Sequence, residues 1–164
     1  MNRMRKVLIA DDEVKVGQLV KRLIQWDRLG LTCIGLVTDG QTAYEKILSE
    51  SPDIVITDIR MPVLTGLEMI QKASEQGVKC HFIVVSGYKY FDYAQKALKY
   101  GVEDYLLKPI DEDELNRQLQ KIVAEEEQRE DKQQQVDQIE KKLEDSKYLR
   151  HKEFLRQILS QKQE

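Results

Sequence analysis

Four places in this chain carry side chains whose chemistry would combine if folding brought them together. They are the acids Asp11-Asp12, the acid Asp58, the hydroxyl of Ser86 and the amine of Lys108. Each sits at the end of a short apolar run: Val7–Ala10, Ile54–Thr57, Phe82–Val85 and Tyr105–Leu107. Three carboxylates in one crevice repel, so either one pKa rises or a cation joins them. Hard oxygen ligands suit Mg²⁺, which keeps several waters and favours a phosphate as a further ligand. A carboxylate in such a site can act as nucleophile toward phosphorus and form an acyl phosphate. Lys108 would then pair with the phosphoryl oxygens and Ser86 would donate a hydroxyl to them. For any single acid, a helix cap is an equally good reading, and Ser-Gly and Lys-Pro pairs occur in ordinary turns. The set of four strand ends argues for chemistry.

The elements that must position these residues alternate strand and helix. Val7–Ala10 reads as a buried strand, followed by a helix with Val16, Leu19, Val20, Leu23 and Ile24 at helical spacing and closed by Gly30. Leu31–Val37 is a second strand. Asp39-Gly40 turns the chain into a helix marked by Ala43, Tyr44, Ile47 and Leu48 that stops before Pro52. Ile54–Thr57 is the third strand, and Gly66 opens a third helix that Gly77 ends. Phe82–Val85 is the fourth strand, Phe91, Ala94 and Leu98 mark a fourth helix, and Asp104–Leu107 is the fifth strand. A fifth helix starts near Asp111, which caps it, with Leu115, Leu119 and Ile122 inward. Five βα units with short connections give an α/β, doubly wound, five-stranded parallel sheet. Five strands fit the flavodoxin-like order 2-1-3-4-5, whose switch point lies between the first and third strands and would gather Asp11, Asp12 and Asp58.

Composition narrows the class. The 164 residues suit one ordinary domain plus an appendage, with 41% apolar and 34% charged residues. The net charge of -3 leaves no basic surplus for counterion release, which argues against nucleic-acid binding by this chain. The basic start, Met1–Lys6, is followed by only four apolar residues, too few for a signal core or a membrane span. A soluble, cytoplasmic protein without membrane contact is expected, with Cys33 and Cys80 as reduced core thiols. His81 and His151 have no neighbours at ligand spacing.

Taken together, Asp11-Asp12, the Thr57-Asp58-Ile59-Arg60-Met61-Pro62 run, Ser86-Gly87, Tyr105 and Lys108-Pro109 resemble the receiver domain of a two-component response regulator over roughly residues 5–123. The resemblance implies that Asp58 accepts a phosphoryl group from a sensor histidine kinase, so the chain is expected to be a signalling switch and not an enzyme. It implies Mg²⁺ ligands at Asp11, Asp12, Asp58 and the main-chain carbonyl of Arg60. Lys108 would contact the phosphoryl group, Ser86 and Tyr105 would be the switch pair, and Lys108–Pro109 would be a cis peptide. Ser86 stands where threonine is commoner in the family. Arg60 would overhang the phosphate, and Gly87 would leave the approach to Asp58 open. An aspartate-nucleophile phosphatase would open on an Asp-x-Asp pattern, which Asp11-Asp12-Glu13 lacks. A flavin module would not carry acids in its phosphate loop, and the P-loop signature is missing. The remaining rival is a degenerate receiver that only binds and dimerises, although no key position is missing.

The segments around Trp26, Ser86–Ala94 and Gly101–Pro109 are similar to regulators with a C-terminal AraC-type DNA-binding domain. That output domain is expected to be absent here, because the 41 residues after position 123 are too few and too polar. Residues 1–123 are expected to be the receiver domain and 124–164 a helical linker. No proline follows Pro109 and no glycine follows Gly101, so nothing interrupts a helix from Asp111 onward. Val136, Ile139 and Leu143 follow a heptad seam that also takes in Glu125, Arg129, Lys132, Ser146 and Arg150, so a candidate coiled coil competes with a solvated charged helix. Phe154, Leu155, Ile158 and Leu159 make a second apolar patch. A homodimer is expected, through this tail or through a face made by the fourth helix, fifth strand and fifth helix. The cluster Tyr88, Tyr90, Phe91 and Tyr93 would pack the loop after Ser86.

Overall fold

The computed structural model describes residues 3–87 and 102–161. The chain divides into two units, Met1–Ile122 and Val123–Glu164. The first contains strands β1 (Arg5–Ala10), β2 (Leu31–Val37), β3 (Ile54–Thr57), β4 (His81–Ser86) and β5 (Val102–Leu107). All pair in parallel in the order β2-β1-β3-β4-β5, as the sequence predicts. The helices are α1 (Val14–Leu23), α2 (Trp26–Leu29), α3 (Gly40–Glu50), α4 (Gly66–Glu75) and α5 (Glu112–Gln161). The predicted fourth helix over Phe91–Leu98 and the aromatic cluster of Tyr88, Tyr90, Phe91 and Tyr93 lie outside the described residues.

Alternation along the strands divides the core. Leu8, Ala10, Val55, Phe82 and Val84 pack in one cluster with Ala43 and Ile47 of α3 and Met69, Ile70 and Ala73 of α4. Val7, Ile9 and Ile56 point to the opposite face by the period of two. Val20, Ile24, Leu115 and Leu119 are buried outside that first cluster. Each such side chain withdrawn completely from water is worth about 1.5–3 kcal/mol, so the strands are fixed by burial on both faces.

Register then brings the strand ends to one edge of the sheet. Ala10 pairs with both Val37 and Thr57, and Thr57 pairs with Val84. Ser86 pairs with Leu107. The next residues along these strands are Asp11, Asp58 and Lys108, so one sheet edge receives all three.

Two local departures from the expected elements have visible causes. The first helix does not run on to Gly30: it ends at Leu23, and a separate turn, α2, follows and closes on Gly30 at φ 66°. Asn116 of α5 holds that break. Its amide donates to the carbonyls of Leu23 and Glu112, both at 2.8 Å, and accepts from the Gln25 N–H at 2.9 Å. Trp26 adds a bond from its ring N–H to the Lys21 carbonyl at 2.8 Å. The second departure is in the edge strand. The β1–β2 register skips Ile34, and the Lys46 ammonium from α3 binds the Ile34 carbonyl at 2.9 Å. Gly35 leaves room for that ammonium, since a Cβ there would come within 2.7 Å of it.

Asp53 ties the chain start to the head of β3. Its carboxylate accepts two bonds from the Arg3 guanidinium, at 2.7 and 3.1 Å, and one from the Lys6 N–H at 2.8 Å. Burial alone would raise its pKa, but these bonds outweigh burial and hold it below the usual carboxylate value. A carboxylate with a depressed folded pKa contributes stability above its unfolded pKa and loses it as pH falls through the folded one. Asp53→Asn is therefore expected to cost about 1–2 kcal/mol at neutral pH, measured by urea denaturation. The gap to the parent should close as pH drops through the acid range.

Candidate functional site

Asp11 and Asp58 leave neighbouring strands side by side, because the Asp58 N–H bonds to the Ala10 carbonyl at 2.9 Å. Both are nearly buried, at 5% and 6% exposure. Asp12 is exposed. One carboxylate oxygen from each of Asp11, Asp12 and Asp58 falls within 4.8 Å of the others. Lys108 is brought alongside by the bond from its N–H to the Ser86 carbonyl at 2.9 Å. Its ammonium lies 2.9 Å from Asp58 Oδ2 and 3.3 Å from Asp11 Oδ2.

Each carboxylate is also held by the backbone. Asp58 Oδ1 accepts the Ile59 N–H at 2.7 Å, and Asp11 Oδ1 accepts the Glu13 N–H at 2.9 Å. Glu13 stands at the N-cap of α1 without making a side-chain cap. It lines the cleft instead. Capping therefore does not account for Glu13, a possibility the sequence left open.

The electrostatics follow from burial. Burial pushes the Asp11 carboxyl up to about 6, against the Glu13 N–H and the Lys108 ammonium and with the help of the Asp58 charge. Burial would lower Lys108, but Asp58 and Asp11 together raise its pKa. Among the described residues of the site, the acids Asp11, Asp12, Glu13 and Asp58 thus outnumber the bases Lys108 and Arg60. Three hard oxygen donors with residual negative charge fit a divalent cation such as Mg²⁺.

The cleft, of about 390 Å³, is lined by Asp12, Glu13, Asp58, Arg60, Ser86, Gly87 and Lys108. Arg60 is exposed at its mouth. Ser86 is wholly buried, and its hydroxyl oxygen makes no hydrogen bond of good geometry among the described residues. Tyr105 is half-buried and donates its hydroxyl to the Gly87 carbonyl at 3.1 Å. Burial raises the Tyr105 pKa, the Ser86 hydroxyl opposes that, and the Asp58 charge adds to it. A Cβ on Gly87 would meet nothing within 4 Å among the described residues, so the approach is open there. The Lys108–Pro109 peptide is cis. The structure brings every sequence-predicted side chain to this edge: Asp11, Asp12, Asp58, Ser86, Tyr105 and Lys108, with Arg60 beside them.

The loop after Asp58 is built by close approach. The Gly66 N–H bonds to the Ile59 carbonyl at 2.7 Å, and the Thr57 hydroxyl to the Asp58 carbonyl at 2.9 Å. A Cβ on Gly66 would collide with the Asp58 main-chain oxygen, and one on Gly40 with the Leu64 oxygen. Val63 takes φ 71°, a left-handed conformation a β-branched residue rarely adopts. The Leu64 N–H closes the turn onto the Pro62 carbonyl at 2.8 Å. Sequence reading missed the supporting roles of Thr57 and Glu13. Position beside Asp58 and Asp11 was the only signal for them.

The two cysteines differ from expectation. Cys33 and Cys80 are free but only half-buried, and burial, with the nearby Asp53 charge, raises the Cys80 thiol to about 12. Among the described residues no helix is long and apolar enough to cross a membrane.

Level acidic strand ends, a lysine at the fifth strand and a buried hydroxyl at the fourth define an acidic-pocket α/β signalling fold. Residues 7–120 match the response regulator receiver domain, and the chain belongs to that family. It is 46% identical over 122 residues to the Bacillus subtilis transcriptional regulatory protein YesN, covering 74% of this chain and 33% of YesN. It is 35% identical over 120 residues to the transcriptional regulatory protein HptR of Staphylococcus aureus, covering 73% of this chain and 47% of HptR. The chain thus spans between a third and a half of the length of these relatives. Among solved structures, the receiver domain of AraT, a response regulator from Geobacillus stearothermophilus, superposes with a TM-score of 0.74 at 36% identity. That match covers 77% of this chain and 98% of the other. Both relatives are named as transcriptional regulatory proteins.

Gly66→Ala is expected to destabilise the fold by about 1–3 kcal/mol, the usual cost of overpacking, because the obstacle is backbone. Thermal denaturation would measure it, with Gly87→Ala, where a Cβ meets nothing within 4 Å among the described residues, as a control expected to change little.

Proposed function

We propose that residues 1–123 form a phosphorylation-activated receiver domain in which Asp58 accepts a phosphoryl group from a sensor histidine kinase. The observation that carries this reading is the Asp58 carboxylate, buried at 6% exposure, 2.9 Å from Lys108 and at the wall of an open cleft. An Asp58 oxygen attacks phosphorus. The P–O bond forms as the P–N bond to the kinase imidazole breaks, and the imidazole nitrogen keeps the electron pair and takes up a proton. Backbone donation from Ile59 orients the carboxylate. Lys108 stays paired with oxygen charge as that charge moves from the carboxylate to the phosphoryl group. The buried Ser86 hydroxyl, without a good partner of its own, supplies a donor to the added oxygens, and Tyr105 follows it as the second member of the switch.

Asp11, Asp12, Asp58 and the main-chain carbonyl of Arg60 would hold Mg²⁺, which supplies charge neutralisation for bringing a phosphoryl group to three carboxylates. Arg60 at the cleft mouth and the open side at Gly87 tune the lifetime of the acyl phosphate. The output is control of transcription through an AraC-type DNA-binding domain beyond residue 164. The names of YesN and HptR support the transcriptional part of that reading. Residues 124–164 act as the helical linker. Signalling passes through a homodimer, made by that linker or by the face that includes β5 and the start of α5, and the protein works in the cytoplasm.

Incubation with Mg²⁺ and acetyl phosphate should add one phosphoryl group by intact mass, and Asp58→Ala should add none. Lys108→Ala should label at least about tenfold more slowly, since losing a charge-matched donor costs 1.4 kcal/mol or more. No gain in the parent, with phosphorylated kinase as donor too, would overturn the proposal. Without Mg²⁺, Asp11 takes up a proton below about pH 6, so the Mg²⁺ concentration needed for half-maximal labelling should rise as pH falls through that range. Arg60→Ala and Gly87→Ala should each change the phosphoryl half-life.

A further inference from the structure

The second unit is a helix with an apolar stripe left in solvent. Val136, Ile139 and Leu143 are 47%, 58% and 57% exposed. Their spacing of three and four puts them on one face, and three positions are too few to choose a partner by apolar contact alone. The charges around them are not scattered. Residues 125–131 carry five acids against one base, and residues 147–156 carry four bases against one acid. The two blocks flank the Gln138–Ile139 step, one on each side.

That symmetry selects an orientation. Two copies paired parallel and in register would set acidic block on acidic block and basic on basic. They would also set Arg129, Lys132 and Arg150 against themselves in the seam. Paired antiparallel about the Gln138–Ile139 step, Glu125 comes opposite Lys152, Glu127 opposite Arg150 and Glu130 opposite Lys147. Each contact occurs twice by the two-fold symmetry. The apolar stripe then crosses its own copy at the centre. We propose that the tail binds a second copy of this chain as an antiparallel helix pair centred on the Gln138–Ile139 step. This rests on the homodimer reading above and is independent of the phosphoryl chemistry.

Charge reversal tests it without cysteine labels. Glu125, Glu127 and Glu130 are changed to Lys in one variant, and Lys147, Arg150 and Lys152 to Glu in a second. A third carries all six changes. Sedimentation equilibrium on the full chain should show each single-block variant associating more than tenfold more weakly than the parent. The six-fold variant should recover the parent's affinity, which also shows that the substitutions leave the helix intact. Added salt should weaken the parent and the six-fold variant alike. A parallel pair would leave the single-block variants unchanged, since like faces like before and after. A dimer indifferent to all three variants would place the contact on the receiver face, and a parent that stays monomeric with and without acetyl phosphate would remove the pairing. Either result overturns the proposal. Intact mass on the same samples reports phosphorylation separately, so failure of the switch and failure of the pairing are distinguishable.

Discussion

The molecule depends on the placement of one ammonium between two buried carboxylates. Lys108 reaches Asp58 and Asp11 because three strands end at one edge of the sheet, with β5 running two residues past the level of Asp58, and burial of both faces fixes that register. Removing charge from water is costly unless partners and hydrogen bonds surround it. Asp11 and Asp58 meet that requirement incompletely. Each has a backbone N–H and a share of one lysine, and Asp11 still titrates near 6. The core therefore stabilises a site that on its own is short of positive charge. A site in that condition has an affinity for cations and for groups that bring them.

The same arrangement explains why the hydroxyl and the tyrosine matter. Ser86 is fully buried without a well-formed hydrogen bond, while Tyr105 spends its hydroxyl on the Gly87 carbonyl. A new acceptor in the cleft would give Ser86 the bond it lacks. That exchange links the contents of the pocket to the strand that carries Tyr105, by contact between adjacent strands β4 and β5.

Much of this was legible in the sequence. Apolar runs ending in Asp11, Asp58, Ser86 and Lys108 gave both the strands and the site, because buried parallel strands read as unbroken hydrophobic stretches. The cap at Asp111 was equally readable, and its carboxylate accepts the Glu114 N–H at 2.9 Å. The break between α1 and α2 was not, since its cause is Asn116, far along the chain, and helical periodicity continues through Ile24. The part of Gly66 in fixing the Asp58 loop was hidden for a related reason. A glycine before an apolar run reads as a helix start, and only the folded loop brings the Asp58 oxygen against it. Half-burial of Cys33 was not legible, because an apolar neighbourhood in sequence says little about the outer strand β2, whereas Cys80, half-buried just ahead of β4, does pack against the core.

The bulge in β2 has a bearing on how crowded the protein can become. An outermost strand offers unpaired carbonyls and amides to any other chain that can lie beside it. Here the skipped residue turns the carbonyl of Ile34 toward Lys46, and a lysine ammonium stands where a visiting strand would need an amide. Any chain extending the sheet at that point would have to displace a charged group that is itself paired with Glu50 at 3.3 Å. Gly35, the residue that makes space for it, thus bears on colloidal behaviour as much as shape: a side chain there would press on the lysine tip and make it shift from its place at the edge.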